Sequence, residues 1–185
     1  MEKGLTVRRI VIAGVLGAIA ILLGVTRLGY IPVPTAAGNA TIMHIPAVIG
    51  GIMEGWGVGM IIGLIFGVSS FLNATVPLFK DPLVAILPRL FIGVTAYFTY
   101  VGLRRVNEYL AIGVAGFVGA MTNTILVLGM AVIRGYMAFG VAVTTALVSG
   151  LPEAIVSVIV TLAVVTAWKK LSGSGNQKSK LSGRL

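Results

Sequence analysis

Arg89, Glu153, Asn123, His44, Asn39 and Asn73 are the residues of this chain whose types and placement could do chemistry. A guanidinium offers an anion a two-pronged set of donors. A carboxylate accepts from hydroxyls and amides, and a carboxamide or imidazole can do either. That inventory suits the holding of a polar ligand, with Arg89 and Glu153 either paired or at opposite ends of it. It does not suit turnover, so the chain does not read as an enzyme. There is no cysteine and a single histidine, which excludes disulfides, thiol catalysis and Cys- or His-rich metal sites. No cofactor is implied. The candidate carboxylates beside the other groups are Glu153 and Asp81, and Lys80-Asp81 reads as a solvated loop tip, so no acid–base pair forms. No G-x-x-x-x-G-K-[ST] loop is present, so the chain cannot hydrolyse ATP by that route.

The elements that must position these groups are membrane helices. Only 10% of the 185 residues are charged and mean hydropathy is +1.04, too little charge to cover a water-facing surface. The 25 glycines suit helices that approach closely. The net charge of +9 belongs to helix ends and the C-terminal segment, which makes it a topology signal and not a nucleic-acid-binding one. Hydropathy predicts an all-α protein of six transmembrane helices. They span about Ile10 to Val25, Ile42 to Met53, Trp56 to Leu72, Leu83 to Leu103, Leu110 to Ile133 and Leu151 to Trp168. The first follows Lys3, Arg8 and Arg9 but lacks a small-x-small cleavage site, and reads as a retained helix. Gly29 to Asn39 is too rich in Gly and Pro for a helix, Arg134 to Gly150 is ambiguous, being apolar, broken by glycines and partly helical, and 171–185 reads as a disordered basic tail after a single membrane domain, 1–170.

Six crossings put both termini on one side. Ten basic residues (Lys3, Arg8, Arg9, Arg104, Arg105, Lys169, Lys170, Lys178, Lys180, Arg184) then share a side, against four (Arg27, Lys80, Arg89, Arg134) on the other, so the positive-inside rule makes both termini cytoplasmic in a multi-pass protein of the cell membrane. All seven prolines fall in outer loops or at outer helix ends. Irregular backbone at membrane depth survives where it lines a cavity or is buried in protein, so the outer half is expected to hold the site. Arg89 is roughly 9 Å down from the outer start of its helix, and Asn123 roughly 20 Å up from the inner start of its own. Glu153 and His44 sit near outer helix starts, and Asn39 and Asn73 in or beside outer loops. Each has a plain structural role open to it. Arg89 can snorkel, Glu153 can favour a helix N-terminus, Asn123 can bond between helices and His44 can pack. Their convergence at one level is what favours a ligand. On helix 1, Ala13, Gly14, Gly17 and Ala18 form small-xxx-small pairs that admit a partner helix.

Over roughly Val7 to Trp168 the chain resembles the substrate-binding S-components of energy-coupling factor (ECF) vitamin transporters. The resemblance rests on the small residues of helix 1, on Thr41-Ile42-Met43-His44-Ile45-Pro46 and on the pattern from Gly59 to Ser70. It rests also on Asp81-Pro82 with Pro88-Arg89, on Asn123-Thr124 and on Pro152-Glu153-Ala154. It implies a six-helix bundle with a vitamin pocket near the outer surface, partly closed by the loop after helix 1. It implies docking through helix 1 onto a transmembrane coupling subunit and two ATPase subunits, and toppling in the bilayer to release the vitamin inside. The family's helix 1 motif is usually Ala-xxx-Ala; Ala13-xxx-Gly17 and Gly14-xxx-Ala18 both stand here, so the register stays open. Among S-components the chain is most similar to those assigned to pantothenate. Riboflavin, folate and cobalamin remain alternatives, and a membrane scaffold or assembly protein without a transported ligand is the alternative of another class.

Overall fold

The computed structural model describes residues 6–35 and 38–182, and their side chains except at 8, 31–35, 38–39 and 172–182. The order is α1 (Val7–Val25), β1 (Tyr30–Thr35), β2 (Gly38–Thr41), α2 (Ile45–Glu54), α3 (Trp56–Leu72), a 3-10 turn (Pro77–Lys80), α4 (Pro82–Ala85), α5 (Leu87–Leu103), α6 (Glu108–Ile133), α7 (Phe139–Thr145), a π-turn (Ala146–Gly150) and α8 (Leu151–Ser182). Among the described residues three stretches are long and apolar enough to cross a membrane: Pro82–Leu103, Glu108–Ile133 and Phe139–Leu171. Arg9–Val25, Ile45–Glu54 and Trp56–Leu72 are shorter apolar helices.

α2 is the centre of the bundle. Every residue from Ile45 to Ile52 is buried, and the helix packs on α1, α3, α5, α6 and α8. At ten residues it is about 15 Å long, short of a full crossing. Its enclosure explains why it is apolar all round, since a helix surrounded by helices has no polar face to show. Gly55, at φ +105°, reverses the chain into α3, a conformation that L side chains rarely adopt. α1 packs chiefly on α3 and α2, at the edge of the bundle.

Four elements differ from the sequence expectation. First, Gly29 to Asn39, read only as non-helical, belongs to an antiparallel hairpin, so the class is all-α with a two-stranded addition. Tyr30 pairs with Thr41 and Pro32 with Asn39, with an irregularity before Thr35 and Gly38. A two-stranded ribbon is all edge, and edges tolerate proline. Second, the fourth helix is interrupted at Ile86 between α4 and α5. Pro88 has no N–H to give the carbonyl of Val84 four residues back, so the ladder opens there.

Third, 139–150 is helical and runs into α8, so the last crossing starts at Phe139 and not at Leu151. Gly140 and Gly150 each cost about 1 kcal/mol of helix propensity. Gly150 recovers this through packing, because it lies directly against Thr124 of α6, where a Cβ would come within 2.8 Å of the threonine methyl. Fourth, Asp81 is not a solvated loop tip. Its side chain caps α4 by accepting from Leu83 N at 3.0 Å and pairs with Arg134 Nε at 2.6 Å, leaving the residue 6% exposed. The helical trace of α8 also continues through 172–182, inside the segment read as a tail, where side chains lie outside the description.

The Asp81–Arg134 tie joins the start of α4 to the end of α6. Arg134's hydrogen bond, ahead of the Leu83 amide and Tyr136, holds the Asp81 carboxyl below its ordinary range. A depressed carboxyl contributes stability that is complete above the unfolded-state pKa, about 3.9, and is lost as pH falls through the lower folded-state value. Asp81→Asn keeps a capping oxygen but removes the charge. We expect it to lower the melting temperature at pH 7, and the deficit to shrink steadily as pH falls below about 4. A deficit that does not change with pH would show that the ion pair contributes nothing.

Candidate ligand-binding site

The site begins with the break at Ile86. Pro88 leaves the Val84 carbonyl without a helix donor, and the Arg89 guanidinium fills the vacancy through Nη1. Gly63 of α3 allows the two helices to close here, since a Cβ on it would collide with the carbonyl oxygen of Arg89. Arg89 is 2% exposed. Its charge lies over two aromatic faces, 5.4 Å from the centroid of Phe66 and 5.0 Å from that of Phe79, contacts that favour a cation but do not neutralise it. Among the described residues no carboxylate lies within 4.0 Å of it. Its Nε has no hydrogen-bond partner there. A buried guanidinium with an unused donor is expensive unless something anionic completes it.

Two small cavities meet at Arg89, sharing Thr41 and Phe79. The outer lobe is lined by Tyr30, Phe66, Ser70, Asn73 and Thr75 among others. The inner lobe lies between α5, α6 and the α7–α8 helix, with Asn123, Thr124, Thr145, Ser149 and Glu153 on its walls. Glu153 accepts from Thr41 N at 2.5 Å, so this carboxylate ties strand β2 over the site. Asn123, 5% exposed, points an Oδ1 without partner among the described residues. One end of the site therefore supplies a cation. The other supplies oxygen acceptors and hydroxyls that can donate or accept. Such a site can bind a polar, anionic molecule. The lobes are small, about 40 and 50 Å³, against roughly 300–1,000 Å³ for ligand pockets in general. A ligand of vitamin size needs more room than either lobe offers in this structure.

Arg89, Asn123 and Glu153, expected together, are together. Glu153 is deeper than expected, because its helix starts at Phe139, fourteen residues or about 21 Å before it. Asn73 caps the end of α3, donating from Nδ2 to Ser69 O at 2.9 Å, and lines the outer lobe. His44 is fully buried at the start of α2 and lines neither lobe. Asn39 falls on β2, opposite Pro32, and its side chain lies outside the described residues. The walls also hold Tyr30, Thr41, Phe66, Phe79, Thr124, Thr145 and Ser149, which the sequence reading did not name as ligand-binding residues. Thr145, Ser149 and Glu153 recur every four residues, a signal that shows only once 139–150 is taken as helix.

On α1 the four small residues separate into two faces. Ala13 and Gly17 are buried, Gly17 so closely that a Cβ would come within 2.7 Å of Ile65 Cδ1. Gly14 and Ala18 face outward, with nothing within 4 Å of where a Gly14 Cβ would stand.

Known proteins resemble the chain in sequence and in fold. The chain is 32% identical over 159 residues to the pantothenic acid transporter PanT of Lactococcus lactis subsp. cremoris (strain MG1363), covering 70% of this chain and 78% of that one. Its fold matches that of ThiT from Listeria monocytogenes with a TM-score of 0.66 at 17% identity, over 89% of this chain and 98% of that one. Residues 8–165 match the family described as ECF transporter, substrate-specific component. The chain belongs to that family: it is a membrane-embedded, substrate-specific component of an ECF-type transporter.

Proposed function

We propose that the substrate is pantothenate, bound from the outer face of the cell membrane and delivered inward with a transmembrane coupling subunit and two ATPase subunits. The observation that carries this is Arg89: a buried cation with an unused donor at one end of a cavity, facing acceptors and hydroxyls at the other. Pantothenate carries a carboxylate at one end, two hydroxyls at the other and an amide between, which is the complementary arrangement. The likeness to a pantothenic acid transporter supports the same choice. Mass spectrometry of small molecules co-purifying with the detergent-extracted protein, followed by calorimetric titration, tests it. Pantothenate should co-purify and bind saturably. Selective binding of riboflavin, folate or cobalamin would replace it, and no saturable ligand would favour a scaffold.

Both termini are proposed to be cytoplasmic, on the ten-to-four distribution of basic residues. The chain has no cysteine, so single cysteines at Glu2 and after Lys180 report without background. Neither should react with an impermeant reagent applied to intact cells; labelling of either rules the orientation out.

Docking is assigned to the outward pair on α1, Gly14 and Ala18. Replacing either by leucine should abolish uptake with the partner subunits while leaving pantothenate affinity of the isolated protein within about twofold, since a bulky side chain blocks close helix approach. Gly17→Leu should instead damage the protein itself, because Ile65 occupies that space. If Gly14→Leu and Ala18→Leu both assemble and transport normally, the docking face is elsewhere.

A further inference from the structure

The last crossing changes its winding at the binding site. Between α7 and α8, Ala146–Gly150 adopt π geometry. The cause is legible in the sequence: Pro152 has no N–H for the carbonyl of Val148, four residues earlier, and its ring crowds that carbonyl. A single π-turn is the local solution, and Gly150 allows it to sit against Thr124.

The consequence is angular. An α-helix advances about 100° per residue, so Thr145, Ser149 and Glu153 would fan out over about 80° of the helix surface. A π-turn advances less, roughly 80° per residue, and with five residues in that form the three fall within about 40°. All three are buried, at 3%, 5% and 5% exposure, and all three line the inner lobe opposite Arg89.

We propose that Pro152 is a positioning residue for ligand selectivity: the π-turn it imposes aligns Thr145, Ser149 and Glu153 into one polar row that reads the hydroxylated end of the substrate. Pro152 touches no ligand; it acts through the row. The inference rests on the reading of the substrate as a hydroxylated carboxylate. It gives the two ends of the site separate determinants, the cation at Arg89 for the anion and the row for the hydroxyls.

Two measurements test it. The first needs no ligand. Ser149→Cys should react with a small water-soluble methanethiosulfonate entering through the cavity, and adding Pro152→Ala should slow that reaction several-fold as the helix rewinds and turns position 149 aside. No reaction in the proline parent, or an unchanged rate with alanine, overturns the proposal. The second compares pantothenate with an analogue in which one hydroxyl is replaced by hydrogen and with pantothenyl alcohol, which lacks the carboxylate. In Pro152→Ala, pantothenate affinity should fall about tenfold or more and the penalty for the missing hydroxyl should shrink. The penalty for the missing carboxylate should persist, and the melting temperature should hold or rise, because a proline leaves a helix interior. Unchanged pantothenate affinity, or a loss spread equally over both analogues with a lower melting temperature, counts against it. Pro152→Leu provides a second helix-compatible replacement should the alanine variant fail to fold. If the parent protein binds no pantothenate at all, the substrate reading fails, and the labelling result still decides the role of Pro152.

Discussion

Arg89→Ala should weaken pantothenate binding by about 10- to 150-fold, the span that corresponds to losing one charge-assisted hydrogen bond of roughly 1.5–3 kcal/mol. The size of the effect follows from the site. Water is largely excluded, so the charge is not screened as it would be at a surface, and among the described residues no carboxylate competes for it within 4.0 Å. Arg89 also has a structural bond to the Val84 carbonyl, and alanine leaves that carbonyl short of a donor at a cost of about 1–3 kcal/mol. Arg89→Gln removes the charge but fills part of the space with a shorter, neutral amide, so it separates the loss of charge from the loss of volume. We expect glutamine to melt above the alanine variant without regaining affinity. A folded Arg89→Gln protein that binds pantothenate as well as the parent sinks the anion-contact assignment. Removing Glu153 in the Arg89→Ala background gives a second check. With no direct ion pair between the two, the double variant should not recover stability, as it would if each existed only to neutralise the other.

What could be read in advance, and what could not, divides along a physical line. Apolar runs of more than about fifteen residues with charges at their ends declare themselves, and Trp56 to Leu72 falls where hydropathy puts it. Arg89, Asn123 and Glu153 were legible because a buried polar group in lipid needs a reason. The failures involve tertiary override. Gly140 and Gly150 look like breakers, yet 139–150 is helix throughout; Gly150 regains its propensity cost by letting the backbone meet Thr124, while Gly140 meets nothing within 4 Å. Asp81 looked solvated beside Lys80; Arg134, fifty-three residues away, is what buries it, and no local pattern announces that partner. His44 shows the converse: its chemistry marked it, but the side chain faces the packed start of α2 and not the cavity. The hairpin was half legible. Its prolines excluded a helix, but the pairing of Tyr30 with Thr41 depends on a register that a run of polar and Pro residues specifies weakly.

Gly93 should be the least replaceable residue of the bundle. α2, α3 and α5 cross where Gly51, Gly59 and Gly93 meet. A Cβ on Gly59 would stand 2.8 Å from the Gly93 Cα and 2.9 Å from the Gly51 Cα. One on Gly51 would strike the Gly93 carbonyl oxygen, and one on Gly93 would strike the Gly59 backbone, with the Ala47 carbonyl 2.8 Å away. All of these neighbours are backbone, so nothing can rotate aside, and three helices would have to separate. Overpacking of ordinary cores costs about 1–3 kcal/mol. Here relief by side-chain movement is closed, and we expect Gly93→Ala to cost at least the upper part of that range and Gly93→Leu to yield no monodisperse protein. Gly129, near the C-terminal end of α6, has nothing within 4 Å of its absent Cβ. Gly129→Ala should therefore gain about 0.5–1 kcal/mol from helix propensity alone. The same substitution is thus expected to have opposite signs at two glycines, and thermal melts of the two alanine variants in detergent read it directly. Equal, small shifts would mean that the three backbones do not touch. Gly93 lies one helical turn below Arg89, and Gly63 already meets the Arg89 carbonyl, so loosening the crossing should also move the guanidinium away from the lobes it joins. A folded Gly93→Ala protein should bind pantothenate more weakly, with no ligand contact having been altered.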